Sequence, residues 1–196
     1  FCLPKTDEEI TTPANIRPIT MLEHLQLKLV TKVLMGRINQ VMGKNKDKIL
    51  NPQQYAGTKG GSTIEPLFMR QAVAEQHSET GQEYHMFDGD ISKAFDSCHQ
   101  WSIRQSLWRL GWEEEAIEMV IGMTMNGDTR VLSNGWLTDG YRVEKGVRQG
   151  EVLSSFLWVA FTDPLLEAQA RLCEGVEVVS RAGKAIDRDS GGVFYG

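Results

Sequence analysis

The chain has 196 residues, 41% hydrophobic and 24% charged, which is the balance of a globular protein long enough for one large domain or two small lobes. That composition excludes long disordered stretches, and no run of about 18 apolar residues exists to span a membrane. The net charge of -5 speaks by itself against a nucleic-acid partner, but residues 1–63 hold nine Lys or Arg against five Asp or Glu, and the remainder twelve against twenty-one.

A basic front beside an acidic rear suits a phosphate-binding region next to a metal-binding one. Cys2, Cys98 and Cys173 are widely spaced and odd in number, so neither a disulfide framework nor a zinc site is expected, and a reducing compartment fits. Phe1 is not an initiating methionine, and the run Gly191–Gly196 looks cut. Both ends read as those of a fragment of a longer frame, and no signal peptide is visible.

Residues 1–20 hold Pro4, Pro13 and Pro18 and read as extended or looping. From Met21 to Met42 the pattern is helical, with Leu22, Leu25, Leu29 and Val33 on one apolar stripe and Val30, Leu34, Ile38 and Val41 widening it. Gly43 to Lys48 reads as a charged loop and Asn51 to Gly61 as a turn-rich connection. Ser62-Thr63-Ile64-Glu65 has capping-box spacing and starts a helix to about Ser78.

Tyr84 to Ile91 predicts a strand with Tyr84, Met86, Asp88 and Asp90 on one face. Ser97 to Leu110 predicts a helix ended by Gly111, and Glu113 to Met125 a second, opened by three glutamates. Arg130 to Val143 predicts a hairpin turning at Asn134-Gly135. Val152 to Cys173 is a long apolar helix, and the Gly-rich sequence beyond Gly175 gives no clear element. The order is an α+β pattern. The five tryptophans, Trp101, Trp108, Trp112, Trp136 and Trp158, read mostly as core, and His24, His77, His85 and His99 carry no metal spacing.

Two segments carry chemistry. Asp90-Ile91-Ser92-Lys93-Ala94-Phe95-Asp96 places a carboxylate at a strand end and an aromatic ring five residues later. A lone Asp there is usually a turn residue, so the weight lies in the whole string. Gly146-Val147-Arg148-Gln149-Gly150 follows the hairpin and precedes a helix. Its glycines allow close backbone approach to a ligand, and free N–H groups at the next helix start favour an anion.

In this order and spacing the two segments resemble the palm motifs of reverse transcriptases of the non-LTR retrotransposon or group II intron kind. Leu3-Pro4-Lys5 with Asn15-Ile16-Arg17-Pro18-Ile19, and Gln54-Tyr55-Ala56-Gly57-Thr58-Lys59-Gly60-Gly61-Ser62-Thr63, are similar to the family's fingers motifs. The second departs from the pattern at Ala56, Gly57 and Gly61. The resemblance implies a right-hand polymerase fragment, fingers over about 1–80 and partial palm over about 81–196, with helices packed on a small antiparallel sheet.

The same resemblance implies RNA-directed DNA polymerase activity by two-metal nucleotidyl transfer, using an RNA template, a DNA primer and deoxynucleoside triphosphates. Asp90, with the Ile91 carbonyl, would bind two Mg²⁺ (or Mn²⁺). Lys5, Arg17, Phe95, Gln149 and Gly150 would contact the nucleotide, with Phe95 under its sugar. Lys59, Gly60, Ser62 and Arg148 would contact template and primer. Asp96 has a structural role, and Asp88 is an extra carboxylate. Glu151 beside phosphates is unfavourable unless it faces away.

The family's Tyr/Phe-x-Asp-Asp hairpin is missing, since Asp163, Asp187 and Asp189 form no Asp-Asp pair, so negligible polymerase activity is expected of residues 1–196 alone. The rival readings are a non-catalytic, maturase-like RNA-binding module and a decayed element copy. Copying at a chromosomal target would place the parent in the nucleus, though no targeting segment is visible.

Overall fold

The computed structural model describes residues 2–4, 16–18, 25–57, 60–133, 135–173, 176–179 and 185–189. Two compact units divide the chain: one holds Phe1–Ile38 and Lys93–Phe161, the other Asn39–Ser92 and Thr162–Gly196. Helices combine with short antiparallel strand pairs, as an α+β reading requires. No helix among the described residues is long and apolar enough to cross a membrane.

In the first unit, β1 (Cys2–Pro4) pairs antiparallel with β2 (Ile16–Pro18), setting Leu3 opposite Arg17. Helix α1 (Leu25–Ile49) begins in this unit. Its predicted stripe is core only in part: Ile38 is buried and Leu34 half-buried, but Leu29, Val30, Val33 and Val41 are exposed, while Thr31 is buried and donates its hydroxyl to the Lys28 carbonyl. The helix also runs through Gly43–Lys48, read from sequence as a loop, with a kink at Asn45. Lys44, Lys46 and Lys48 are good helix formers, and the single non-helical residue, Asn45, suffices to turn the axis.

The centre of this unit is a helix pair. α3 (Gln100–Arg109) buries Ile103, Ser106 and Leu107, and α4 (Glu114–Thr124) buries Ile117, Val120, Ile121 and Thr124. Both follow the three-four spacing of a single helix face. Each fully buried Leu or Ile contributes about 1.5–3 kcal/mol. Gly111, at φ 82°, ends α3, and the Gly111 and Trp112 N–H groups return to the Trp108 and Leu107 carbonyls. Arg104 on α3 reaches Glu114 and Glu118 on α4.

Trp101 and Trp108 sit on the outer side of α3 and Trp136 in the hairpin, all exposed. The reading of most tryptophans as core is therefore corrected. Seven residues separate the two on α3, which returns them to the same helix face, away from Ile103 and Leu107.

The hairpin forms as predicted around Gly135. β3 (Asp128–Thr129) pairs with β6 (Tyr141–Arg142), and β4 (Leu132–Ser133) with β5 (Trp136–Leu137). Asn134 lies outside the described residues. Helix α5 (Ser154–Leu172) follows and gives this unit the buried Phe156, Leu157, Trp158, Val159 and Ala160.

In the second unit, α2 (Ile64–Thr80) ends at Gly81 in the left-handed conformation. The capping box is not made: Thr63 has helical dihedrals, and Ser62 Oγ accepts from the Ile64 N–H. A buried polar network fastens residues 51–56 to the second half of α5. Asp163 Oδ1 accepts the Asn51 N–H at 2.7 Å, and Gln54 Nε2 donates to Thr162 Oγ1 at 3.2 Å. The tail forms an antiparallel pair, β7 (Val176–Val179) with β8 (Ala185–Asp189).

Residues 82–91 are exposed and belong to no strand. Alternation made Tyr84–Ile91 a strand candidate, but a strand exists only as a member of a ladder. Among the described residues none pairs with this segment.

Candidate functional site

Lys93 is the one non-glycine residue of positive φ, at 52°, among the described residues. It starts the tight turn that becomes a 3₁₀ helix over Phe95–Ser97. Ser97 closes the turn through its N–H and its hydroxyl, both donated to the Lys93 carbonyl, at 3.0 and 2.9 Å. The Phe95 and Cys98 carbonyls are left free for other donors.

The glycine turn supplies those donors. The Gly146 N–H donates to the Cys98 carbonyl and the Val147 N–H to the Phe95 carbonyl, each at 2.7 Å. Gly146 has φ 101°, and a Cβ there would stand 3.2 Å from Asp96 Cα and 3.4 Å from the Phe95 oxygen. The conformation and the close approach both select glycine. Gly146→Ala is expected to destabilise this unit by roughly 2 kcal/mol, to be read by urea denaturation. A loss below about 0.5 kcal/mol would mean that the turn is not held this way.

The segment Phe95–Cys98, at the end of the first motif, and the glycine turn, far apart in sequence, are thus joined by hydrogen bonds within one unit. The Phe95 ring is half-buried and meets Trp158 with centroids 5.5 Å apart. Gln149 is half-buried and Gly150 exposed in this turn. Arg148 bends back so that Nη2 donates to the Gly127 carbonyl at 3.2 Å. Ser154, in the first turn of α5, donates its hydroxyl to the Arg148 carbonyl.

Glu151 does not face away into solvent. It is 5% exposed, and neither of its carboxylate oxygens has a hydrogen-bond partner. Burial pushes its carboxyl up to about 7, against the pull of Arg148. Cys98 is fully buried, and burial, then the charge of Asp96, raises its thiol to about 11. At neutral pH it stays protonated and is no nucleophile.

Asp90 and Ile91 lie in the second unit, at the end of the exposed 82–91 segment. Asp88 faces Arg70, with oxygen and nitrogen 3.7 Å apart. Asp90 forms no hydrogen bond or ion pair among the described residues. One exposed carboxylate and a neighbouring carbonyl fit part of a Mg²⁺ shell, because that ion takes one or two carboxylates and completes its octahedron with waters and phosphate oxygens. Among the described residues no three His, Cys, Asp or Glu converge into a protein-only cage.

Gly60, at φ 85°, and Ser62 are on the loop before α2. Gln54 in the same motif is fully buried and structural. Arg17 is placed by its backbone in β2, while Lys5 and Lys59 lie outside the described residues. Sequence reasoning missed Trp158 as the neighbour of Phe95 and Glu151 as a buried acid. No local signal marks the first. An acid between Gly150 and the apolar run Val152-Leu153 was a hint of the second.

Residues 3–180 match the family described as reverse transcriptase (RNA-dependent DNA polymerase). The chain is 29% identical over 165 residues to a retrovirus-related Pol polyprotein from a type-1 retrotransposable element R2 of Popillia japonica, covering 84% of this chain and 22% of that protein. It is 26% identical over 191 residues to the corresponding polyprotein of the type-2 element R2DM of Drosophila melanogaster, covering 94% of this chain and 16% of that protein.

Proposed function

We infer the function from a plain premise: the chain belongs to the reverse transcriptase (RNA-dependent DNA polymerase) family. Its proposed work is nucleotide handling in an RNA-directed DNA polymerase of a retroelement, with about residues 1–80 as fingers and 81–196 as partial palm. The observation that carries this reading is the junction in which Gly146 and Val147 donate to Cys98 and Phe95. It sets an aromatic ring beside a glycine turn that presents Gln149.

In this reading Lys5 and Arg17 neutralise the triphosphate, Arg by its bidentate fork. Gln149 holds the nucleotide, Gly150 lets the backbone come close, and Phe95 lies beneath the sugar, where a 2′-hydroxyl would collide with it. Lys59, Gly60, Ser62 and Arg148 follow the RNA template and DNA primer. Asp90 and the Ile91 carbonyl would hold Mg²⁺ or Mn²⁺, which would supply positive charge to the transferring phosphoryl group. The primer 3′-hydroxyl attacks the α-phosphate in line, forming the phosphodiester bond as pyrophosphate leaves.

The test is primer extension by the polymerase that carries this chain. Gln149→Ala is expected to lower kcat/KM for a deoxynucleotide about 30-fold, near 2 kcal/mol, with an unchanged melting temperature. Undiminished extension by Gln149→Ala would remove the turn from the nucleotide site. RNA binding without any extension, by a parent chain with all its carboxylates, would favour the non-catalytic module instead.

A further inference from the structure

Phe95 is fixed at its backbone but not, by that alone, at its ring. Its carbonyl is taken by the Val147 N–H, and its Cα lies in the 3₁₀ turn, which leaves the side chain free to rotate about χ1 and χ2. Trp158 limits that freedom. It is 7% exposed, meets the Phe95 ring at 5.5 Å with the planes tilted by 38°, and is backed by Phe161 at 5.6 Å. The three rings form a row, with Trp158 buried in the middle and half-buried Phe95 and Phe161 at its ends.

We propose that Trp158 is a positioning residue for Phe95 and so sets how stringently the site discriminates deoxyribose from ribose. A ring that tests for one hydroxyl must be held to a fraction of an ångström, and rotamer drift of that size opens the space the hydroxyl needs. A tilted aromatic neighbour restrains the ring, because such pairs have preferred geometries. Trp158 sits on α5, whose first turn is tied to the nucleotide-binding turn through Ser154 and the Arg148 carbonyl. The restraint and the turn therefore share one rigid element.

The inference rests on the proposed reading that Phe95 lies under the sugar, and the experiment separates the two. The incorporation efficiency of a deoxynucleotide relative to the matching ribonucleotide is measured for the polymerase that carries this chain. Trp158→Met keeps an apolar side chain in the core without a flat ring and is expected to lower the ratio about tenfold, through a lower KM for the ribonucleotide. Trp158→Phe restores a ring and is expected at the parent ratio. Phe161→Leu loosens the row from behind and is expected to lower the ratio about two- to threefold, so the test survives if Trp158→Met does not fold. Leu157→Ala, a buried neighbour on the same helix, lowers stability and leaves the ratio unchanged. If Phe95→Ala leaves the ratio unchanged, the sugar reading itself fails. If Phe95→Ala collapses the ratio while Trp158→Met and Phe161→Leu leave it at the parent value, the sugar reading stands and the role of Trp158 is overturned.

Discussion

Glu151→Gln is expected to stabilise the fold by roughly 3 kcal/mol at pH 8 and to leave it unchanged near pH 4. Glu151 is buried, and no hydrogen bond reaches either carboxylate oxygen. Its carboxyl rises from an ordinary value of 4.5 to about 7, chiefly through burial, with Arg148 opposing the rise. The folded chain therefore holds the proton more tightly than the unfolded one. Below pH 4.5 both states are protonated and the group costs nothing. Between pH 4.5 and about 7 the unfolded chain gives up this proton while the folded chain keeps it, so stability falls across that window, and the cost is fully present once pH passes about 7. Gln keeps the shape, carries no charge and removes the dependence. Urea denaturation at pH 4.5 and pH 8 reads the effect, which for a chain of this size corresponds to a rise of about 6–12 °C in Tm at the higher pH. Equal stability of parent and variant at pH 8 would show that the carboxylate finds water or a partner.

The pH effect also bears on the junction itself. Glu151 follows Gly150 directly, and Ser154 binds the Arg148 carbonyl. A charge forced into this place is relieved most easily by shifting the turn that presents Gln149. Burial that destabilises the ionised form makes the turn better held in weakly acidic solution than in alkaline solution. The buried Cys98 thiol, raised to about 11, stays protonated across the same range and adds no second titration.

Where the sequence and the structure agree, the signal is local. Gly111 ends α3 because a left-handed residue is needed there, and Gly135, at φ 82°, lies between the paired strands β4 and β5 because glycine tolerates the positive φ that a tight hairpin asks for. Ile117, Val120, Ile121 and Thr124 state their helix and its buried face in one stripe. Where the two differ, a partner decides. Tyr84–Ile91 alternates like a strand and has no ladder among the described residues, and Leu29 and Val33 recur at helical spacing like a core face and stand exposed. Of the site, the strings around Phe95 and Gln149 are visible as residues. Their junction is not, because the Val147-to-Phe95 hydrogen bond joins backbone atoms that any side chains could carry. Trp158 illustrates the same limit from the other side: its ring is legible as core, but not which ring it holds.

Asp90→Asn is expected to cut nucleotide incorporation about 1,000-fold, near 4 kcal/mol in the barrier, in the polymerase that carries this chain. The substitution keeps the size and one carbonyl oxygen but loses the charge that a hard divalent cation seeks. Stability is the control, and the structure makes it a sharp one. Asp90 is exposed and makes no hydrogen bond or ion pair among the described residues, so removing its charge changes stability by no more than about 0.5 kcal/mol. Asp88 supplies the comparison two residues away. It faces Arg70 at 3.7 Å with both side chains well exposed, a pair worth at most about 1 kcal/mol, so Asp88→Asn is expected to retain incorporation within about threefold. A large catalytic loss without a stability loss at Asp90, beside a small loss at Asp88, is what a metal ligand produces and a turn residue does not. Incorporation by Asp90→Asn within tenfold of the parent would return Asp90 to the exposed loop in which the structure places it and leave the polymerase reading without its first carboxylate.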